Sequence, residues 1–414
     1  MRKILILLLY TVIALCSCDP VEQPDNGKDV KKEEPKPDTL CVEDKLIDSI
    51  RQKHNMTALS YTVVKDFKIV HSGALGIRDR NLKTPIDTGS IFRIASCSKS
   101  FTGAAAMQLV DEGKMTLNDD VSDILGFDVR NPYFPDVPIT VGMLLSHTSS
   151  LQGDEDGMGN SLANIDPMRN SSDLISHCFY EEKPGTKYHY SNKGLTVAAA
   201  CVEKVRGERF DSLVVNHLLT PLGITNSGFN PNRLDASTFV MSYVYRAFEN
   251  EYFFQSSPWS SPKTKGYVLG YNTDSMWPAG GMNTSSANLA RWMLMFMQYG
   301  KGVNGERLLS EESAKVMLTP YTNAGTYGIT LNKYVKYLDG LTLYGHTGSK
   351  YGFKSFMVFD PVSGFGFTAI ASSINTETYS ITKLIPVLYK LFIDPNYFVS
   401  DFSLPSDDDE NDIL

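Results

Sequence analysis

The chain has the sequence FRIASCSKSFTGA at residues 92–104, and no other segment says as much about its architecture. A serine hydroxyl is a weak nucleophile at neutral pH and needs a base within hydrogen-bond distance. If a helix begins here, Lys99 lies beside Ser96, because residues three apart are neighbours on a helix. The helix N-terminus adds backbone N–H groups and a partial positive charge, which favour a neutral, basic amine. The segment therefore predicts that Ser96 is a nucleophile for acyl transfer.

The Ser-x-x-Lys spacing alone is weak evidence, because the chain contains it three times, starting at Ser96, Ser260 and Ser380. Pro262 indicates a loop at the second occurrence, and the third begins a C-terminal helix without partner motifs. Only the first is followed by a helix of small residues, AAAMQLV at 104–110, which can lie close to neighbouring backbone. Taken alone, Ser96 is equally well explained as a helix cap.

The composition is that of an ordinary globular protein. The chain has 414 residues, of which 42% are hydrophobic and 21% charged, enough for one large domain or two. A formal net charge of −8 and the absence of a basic stripe from the sequence argue against a nucleic-acid partner. The seven histidines show no zinc-ligand spacing, and the sequence has no nucleotide-binding loop. We therefore expect no metal, no cofactor and no nucleic acid.

Residues 1–18 are typical of a lipoprotein signal peptide. Two basic residues precede an apolar stretch at 4–15 that is too short to span a bilayer comfortably. The sequence LCSC at 15–18 resembles a bacterial lipobox, which is cleaved before a cysteine that receives lipid. Cys18 follows a small residue and is the better candidate for lipidation than Cys16. The alternative is an ordinary signal peptide with incidental cysteines.

The chain is also polar at both ends of its folded part. Residues 19–40 combine prolines with charged runs and have few apolar side chains, so they predict a disordered tether. Residues 399–414 form an acidic tail. This arrangement predicts a lipid-anchored protein of the cell envelope, facing the periplasm or the cell surface. The spacing of the remaining cysteines predicts no disulfide framework, although a bridge between Cys178 and Cys201 stays open.

The folded part, residues 41–398, shows strand patterns at both of its ends. Strands are predicted at 58–64, 68–73, 341–344, 353–359 and 366–373. Helices are predicted around 42–50 and at 285–299 and 381–392. The middle, roughly 115–275, has helical patches with little strand signal. We therefore predict an α/β (α+β) fold, with one antiparallel sheet flanked by terminal helices and a mostly helical insertion at about 115–275.

Two further motifs supply groups that the serine and the lysine lack. The first is Tyr190-Ser191-Asn192. A tyrosine phenol near a cation can share proton transfer with a lysine, and the Asn192 amide can hold Lys99 or donate to a substrate carbonyl. Ser96, Lys99 and Tyr190 are therefore the candidate catalytic residues. Taken singly, Tyr190 is more readily explained as a core residue with a bonded hydroxyl.

The second motif is His346-Thr347-Gly348-Ser349, on or beside the strand predicted from residue 341. Its glycine lets a substrate lie against the strand edge. The backbone N–H of Ser349 then points at a developing oxyanion, together with the N–H of Ser96. These four residues, with Asn192, are the candidate substrate-binding residues. Alone, His346 is more readily explained as a strand cap.

The three motifs in this order resemble the serine beta-lactamase and penicillin-binding-protein superfamily, most closely its class C-like branch, in which Tyr-x-Asn is the second motif. The likeness covers about residues 46–391. It implies a sheet domain with an all-helical insertion, and acylation of Ser96 followed by hydrolysis. It implies that Lys99 and Tyr190 shuttle protons, and that no metal or cofactor takes part. The branch includes esterases, D-amino-acid peptidases and carboxypeptidases.

Two residues depart from the family pattern. His346 stands where lactamases and peptidases have lysine, a permanent cation that holds a substrate carboxylate. A histidine is largely neutral near pH 7, so we expect weak penicillin hydrolysis and a pH profile sensitive to His346. Ser150 replaces the usual glycine after the triplet that begins at His147, and His147 itself is expected to be a buried turn residue.

The sequence therefore predicts a membrane-anchored serine hydrolase that forms an acyl-enzyme on Ser96. Its substrate is expected to be a small amide or ester, of the peptidoglycan, D-amino-acid peptide or esterase type. One alternative is a true class C-like beta-lactamase. The other is a non-catalytic binding lipoprotein on the same fold, which the presence of all four residues Ser96, Lys99, Tyr190 and Asn192 argues against.

Overall fold

The computed structural model describes residues 40–153, 162–168, 170–256, 266–273, 277–322, 325–375 and 379–399. The predicted signal peptide with Cys18, the predicted tether up to residue 39, and the acidic tail from residue 400 lie outside these residues. So does Ser260, the second of the three Ser-x-x-Lys serines.

The secondary structure follows the predicted order, with strands at both ends of the folded part and helices between them. Its elements are α1 (Val42–Lys53), β1 (Ala58–Lys65), β2 (Lys68–Asp79), β3 (Thr84–Pro85), β4 (Phe92–Arg93), α2 (Lys99–Asp111), α3 (Val121–Leu125), α4 (Val141–Leu145), α5 (Ser172–Ser176), α6 (Asn192–Arg206), α7 (Phe210–Val214), β5 (Ser242–Arg246), β6 (Glu251–Ser256), α8 (Trp277–Gly280), β7 (Asn283–Thr284), α9 (Ser286–Met297), α10 (Glu311–Leu318), β8 (Asn332–Tyr334), β9 (Leu343–Lys350), β10 (Phe353–Asp360), β11 (Phe365–Ser372) and α11 (Leu384–Phe392).

Seven of the strands form one antiparallel sheet, in the order β3-β2-β1-β11-β10-β9-β8. Strand β1 pairs with β11 from Ala58 opposite Ser372 to Val64 opposite Gly366, which joins the two ends of the sequence. The central strands are buried on both faces, so they are nearly continuous apolar runs. The predicted antiparallel sheet is confirmed.

Alternate residues of the central strands contact different layers. Tyr61 of β1 and Phe356 of β10 pack with the terminal helices α1 and α11. Their neighbour Met357 lies in the other core, with α2 and α9. On that second face Ser60 meets Ser286 at the start of α9, with the two hydroxyl oxygens 2.7 Å apart. The period of two along each strand thus separates a terminal-helix layer from the layer that contains the Ser-x-x-Lys helix.

The middle of the chain contains a two-stranded sheet that the sequence analysis missed. Strands β5 and β6 form a hairpin in which Tyr245 pairs with Tyr252. Strand-forming aromatic residues are frequent in both strands. Each strand is only five or six residues long, and such short runs are easily overlooked beside the helices α3 to α7. The segment 115–275 therefore combines helices with this hairpin.

Two other expectations concern single residues. Cys178 and Cys201 are both free and buried, so the bridge that the sequence left open does not form. Ser380 precedes a short 3₁₀ turn at Ile381–Lys383, and its hydroxyl lies 2.9 Å from that of Thr382. Among the described residues, no helix combines the length and the apolar character needed to cross a membrane.

Candidate active site

Ser96 lies in a short 3₁₀ turn, Ala95–Ser98, immediately before α2. Ala95 has a φ of +46°, the left-handed region that alanine rarely adopts. The Ser98 hydroxyl holds this turn, because it donates to the Ala95 carbonyl (2.5 Å) and accepts from the Met282 amide (3.0 Å). The strained turn therefore has support from its own side chain and from the segment before β7, and it leaves Ser96 half-buried.

Lys99 is fully buried, and its amine contacts three oxygen atoms. The Nζ atom lies 3.0 Å from Ser96 Oγ, 2.8 Å from Asn192 Oδ1 and 2.9 Å from the Ala279 carbonyl oxygen. The two carbonyl oxygens can only accept, so they fix two N–H bonds of the amine. The third position of the nitrogen faces Ser96. The ammonium form donates its third N–H to Ser96 Oγ, and once that proton is lost the neutral amine presents its lone pair to the serine hydroxyl.

Tyr190 contacts the same serine from the N-terminal side of α6. Its hydroxyl lies 2.8 Å from Ser96 Oγ. The Lys99 ammonium nitrogen lies 4.6 Å from the centre of the Tyr190 ring, which is cation–π distance. Ser96 therefore has two proton-transfer groups within hydrogen-bond distance, an amine and a phenol.

His147 fixes the backbone on both sides of Tyr190. Its carbonyl oxygen accepts from the His189 amide (2.7 Å), and its Nδ1 accepts from the Ser191 amide (3.1 Å). Its ring lies 4.4 Å from the Tyr190 ring, centre to centre. His147 is fully buried with a φ of +60°, the buried turn residue that the sequence predicts. Burial, and then the charge of Lys99, hold the pKa of His147 well below its usual range.

Protein groups contact both ring nitrogens of His346 on β9. Nδ1 lies 2.5 Å from the Thr347 carbonyl oxygen, which can only accept, so the proton is on Nδ1. Nε2 then accepts from the Tyr327 hydroxyl at 2.9 Å. Burial, and then the charge of Lys99, lower the pKa of His346 to about 3.

The neutral state of His346 changes two expectations. It is uncharged throughout the physiological range, so a pH profile governed by its titration is not expected. Its Nε2 atom is hydrogen-bonded to Tyr327 and not to Tyr190, whose ring centre lies 6.5 Å from that of His346. Because both nitrogens have protein partners, direct contact with substrate would require one of these bonds to break.

Gly348 is the point where β9 meets the serine turn. A Cβ atom placed on it would lie 2.5 Å from the Ile94 carbonyl oxygen and 3.1 Å from the Ser96 amide nitrogen. The missing side chain therefore makes room for the turn itself, whereas the sequence analysis assigned that space to substrate. The Cys97 thiol adds a second link, because Sγ lies 3.2 Å from the His346 carbonyl oxygen. Burial raises the pKa of this thiol to about 12, so it is not a thiolate nucleophile.

Thr347 and Ser349 flank the glycine on β9. Thr347 is half-buried and pairs with Phe356 of β10, and Ser349 is exposed and pairs with Lys354. The short strand β8 pairs with β9 only from Leu343 to Gly345, so it does not reach these two residues.

The structure thus brings Ser96, Lys99, Tyr190 and Asn192 into direct contact. Two contributors were not expected from the sequence, the Ala279 carbonyl and Tyr327. His147 was expected as a buried turn residue, but its contacts with the backbone around Tyr190 were not. Ala279 lies in the segment PAGGM at 278–282, which has no polar or titratable side chain to mark it. Nothing in the sequence near Tyr327 marks it as a partner of a histidine nineteen residues further on.

Comparison with known proteins identifies the family. The family model described as Beta-lactamase matches residues 44–381. Penicillin-binding protein 4 of Amycolatopsis lactamdurans is 28% identical over 333 residues, which are 77% of this chain and 81% of that protein. Protein flp of Staphylococcus aureus (strain N315) is 25% identical over 344 residues, 81% of this chain. The chain spans only 63% of the length of flp.

Solved structures share the fold at lower identity. The octameric penicillin-binding protein homologue from Pyrococcus abyssi has a TM-score of 0.63 at 24% identity, covering 80% of this chain and 73% of that one. The D-amino acid amidase from Ochrobactrum anthropi SV3 complexed with D-phenylalanine has a TM-score of 0.60 at 19% identity, covering 80% and 91%. With a family model that spans most of its folded part, this chain belongs to the beta-lactamase family and is a serine hydrolase.

Proposed function

We propose that the chain hydrolyses small esters or amides through an acyl-enzyme on Ser96, with Lys99 and Tyr190 transferring the protons. One observation supports this most strongly: Ser96 Oγ lies 3.0 Å from Lys99 Nζ and 2.8 Å from Tyr190 OH. A serine that only caps a helix needs neither contact. A non-catalytic binding protein would have no functional reason to keep the strained turn at Ala95–Ser98.

In the acylation step, Ser96 Oγ attacks the substrate carbonyl carbon while its proton passes to the neutral amine of Lys99. The backbone N–H groups of Ser96 and Ser349 stabilise the negative oxygen of the tetrahedral intermediate. The bond to the leaving group breaks as Tyr190 gives its phenol proton to the departing nitrogen or oxygen, and Lys99 passes the proton it took from Ser96 to Tyr190. A water molecule then attacks the acyl carbon, and its proton follows the same groups back to Ser96.

The state of His346 supports a substrate that does not depend on a cation at this position. Its imidazole is neutral and bonded to Tyr327 and Thr347, so it supplies no charge for a substrate carboxylate. A full charge pair at 4 Å is worth about 4 kcal/mol at an effective dielectric near 20. Penicillins should lose much of that attraction. A D-amino-acid amide, peptidoglycan-type peptide or simple ester is less affected, and the amidase with the same fold is consistent with such substrates.

A substrate panel tests this proposal. We expect measurable kcat/KM for p-nitrophenyl acetate or a D-alanyl peptide, and much weaker turnover of nitrocefin. His346→Lys should shift the preference toward carboxylate-bearing substrates. If the wild type hydrolyses nitrocefin far better than the neutral ester, and His346→Lys brings no gain, the chain is a true beta-lactamase and our substrate assignment is wrong.

We further propose that the domain is held at a membrane in the cell envelope. The support is the lipobox-like LCSC at 15–18 and the polar segment 19–40 that follows it. The mature protein should begin at lipidated Cys18 and fractionate with membranes, and Cys18→Ser should release it or block its processing. Cys16→Ser is the matched control and should have no effect. A soluble wild-type protein with a different N-terminus would overturn the assignment.

A further inference from the structure

A second cluster of reactive side chains lies at the N-terminal end of the described chain, before Ser96 in the sequence. Cys41 caps α1, Asp44 lies in the first turn of that helix, and His71 lies on β2. The Cys41 sulfur, an Asp44 carboxylate oxygen and a His71 ring nitrogen all lie within 4.8 Å of one another. The helix that supplies two of them packs on the sheet face opposite to α2.

The neighbours of the cluster hold its donors in place. His71 Nε2 lies 2.9 Å from Asp44 Oδ1. The same carboxylate oxygen accepts from the Tyr61 hydroxyl. The His71 ring stacks on Phe392, with the ring centres 5.0 Å apart, which fixes the ring plane. The Tyr61 hydroxyl and the Phe392 ring lie outside the donor set and hold Asp44 and His71 in place, as outer groups do for metal ligands in proteins.

The donor set has the chemistry of a zinc site. Thiolate, imidazole and carboxylate are the three ligand types that zinc takes, at about 2.3, 2.0 and 2.1 Å, which puts neighbouring ligand atoms roughly 3.5 Å apart in a tetrahedron. The donor atoms of this cluster are separated by 2.9 Å (His71 Nε2 to Asp44 Oδ1) to at most 4.8 Å, a range that includes the tetrahedral spacing. Calcium and magnesium prefer oxygen ligands throughout, so the sulfur and nitrogen donors disfavour them. Cys41 is exposed and the other two residues are half-buried, so an ion can enter from solvent.

We propose that Cys41, Asp44 and His71 bind one zinc ion, with water in the fourth position. On binding, the Cys41 thiol loses its proton to solvent, and the His71 proton moves to Nδ1 so that Nε2 can bind the metal. Because the ligands come from α1 and β2, the ion joins the first helix to the sheet. This is the end of the domain that the predicted tether enters.

Cobalt substitution tests the site, because a cysteine thiolate bound to Co²⁺ gives a near-ultraviolet charge-transfer band. The sample is the full chain in detergent with Cys16→Ser and Cys18→Ser, which remove the two cysteines of the predicted signal peptide. Among the described residues, Cys41 is the one exposed cysteine. We expect one Co²⁺ per chain, displaced by Zn²⁺, and a Tm that rises with Zn²⁺. Cys41→Ser should abolish the band, and His71→Asn should weaken binding at least tenfold.

His217→Asn is the matched control, because His217 Nε2 also lies 2.9 Å from a carboxylate, that of Glu208. This variant should keep the band and the Tm shift. Hydrolysis of p-nitrophenyl acetate should be unchanged in all three variants, which shows that they fold and separates this test from that of the active site. Loss of the band with His217→Asn, an unchanged band in Cys41→Ser, or less than half an ion per chain in the parent would overturn the proposal.

Discussion

Gly348→Ala is predicted to reduce activity strongly, although it adds only one methyl group. The new Cβ would lie 2.5 Å from the Ile94 carbonyl oxygen, whereas ordinary van der Waals contact begins at 3.4 Å. Backbone atoms cannot rotate away as a side chain can. Strand β9 and the serine turn must therefore separate by about 0.9 Å. A displacement of about 1 Å at a reacting group can cost about 100-fold in rate, or about 2.7 kcal/mol in the barrier.

The assay is kcat/KM for p-nitrophenyl acetate, with the fraction of active protein counted by a fluorophosphonate probe. Gly228→Ala is the control, because the nearest atom to its new Cβ is Val215 Cγ2 at 3.6 Å, an ordinary contact. Overpacking should also lower the unfolding free energy of Gly348→Ala by about 1–3 kcal/mol. A folded Gly348→Ala variant that keeps more than half of the wild-type kcat/KM would refute the close approach of β9 to the turn.

Two further perturbations have clear expected outcomes. Tyr190→Phe removes the phenol 2.8 Å from Ser96 Oγ and should lower kcat by about 10²–10⁴ with little change in KM; a fall of less than tenfold would exclude proton transfer by Tyr190. Burial lowers the pKa of His54 to about 4 and that of His346 to about 3, from an ordinary 6.5. Below pH 6.5 these two histidines bind protons in the unfolded chain but not in the folded one. The stabilisation that they contribute as neutral groups is therefore full above pH 6.5 and is lost progressively as the pH falls toward 4 and 3. Each histidine should remove about 1.4 kcal/mol of unfolding free energy per pH unit in that window. Urea unfolding at pH 7.5 and 5.5 measures this difference in unfolding free energy. His54→Asn should remove the part of the difference that His54 contributes. Equal stability of the wild type at both pH values would contradict the prediction.

Local patterns were enough to predict the sheet and its flanking helices. The strands around 58–64 and 353–359 have long apolar runs, and α9 has a clear helical period ended by Gly300. Strand β9 begins at Leu343 and continues to Lys350, beyond the residue 344 predicted as its end. The polar, glycine-containing sequence HTGS has low strand propensity, and pairing with β10 overrides it.

The site was predictable where its reactive groups are side chains that belong to a sequence motif. Ser96, Lys99, Tyr190 and Asn192 belong to such motifs. The Ala279 carbonyl was not predictable, because any residue supplies the same atom and only the fold aims it at Lys99. The bond between Tyr327 and His346 depends on tertiary packing, and so does the neutral state of that histidine. The juxtaposition of Cys41 with His71 likewise follows from the contact between α1 and β2.

The most direct test of the account is to identify the residue that becomes acylated. Intact-mass analysis after treatment with a fluorophosphonate or penicillin probe, followed by peptide mapping, should find one adduct per chain, on Ser96. Ser96→Ala should lose the adduct and at least about a thousand-fold in turnover, because covalent catalysis is gone. Ser260→Ala and Ser380→Ala, which have the same spacing to a lysine, should keep both. Full labelling or full activity in Ser96→Ala would contradict the mechanism.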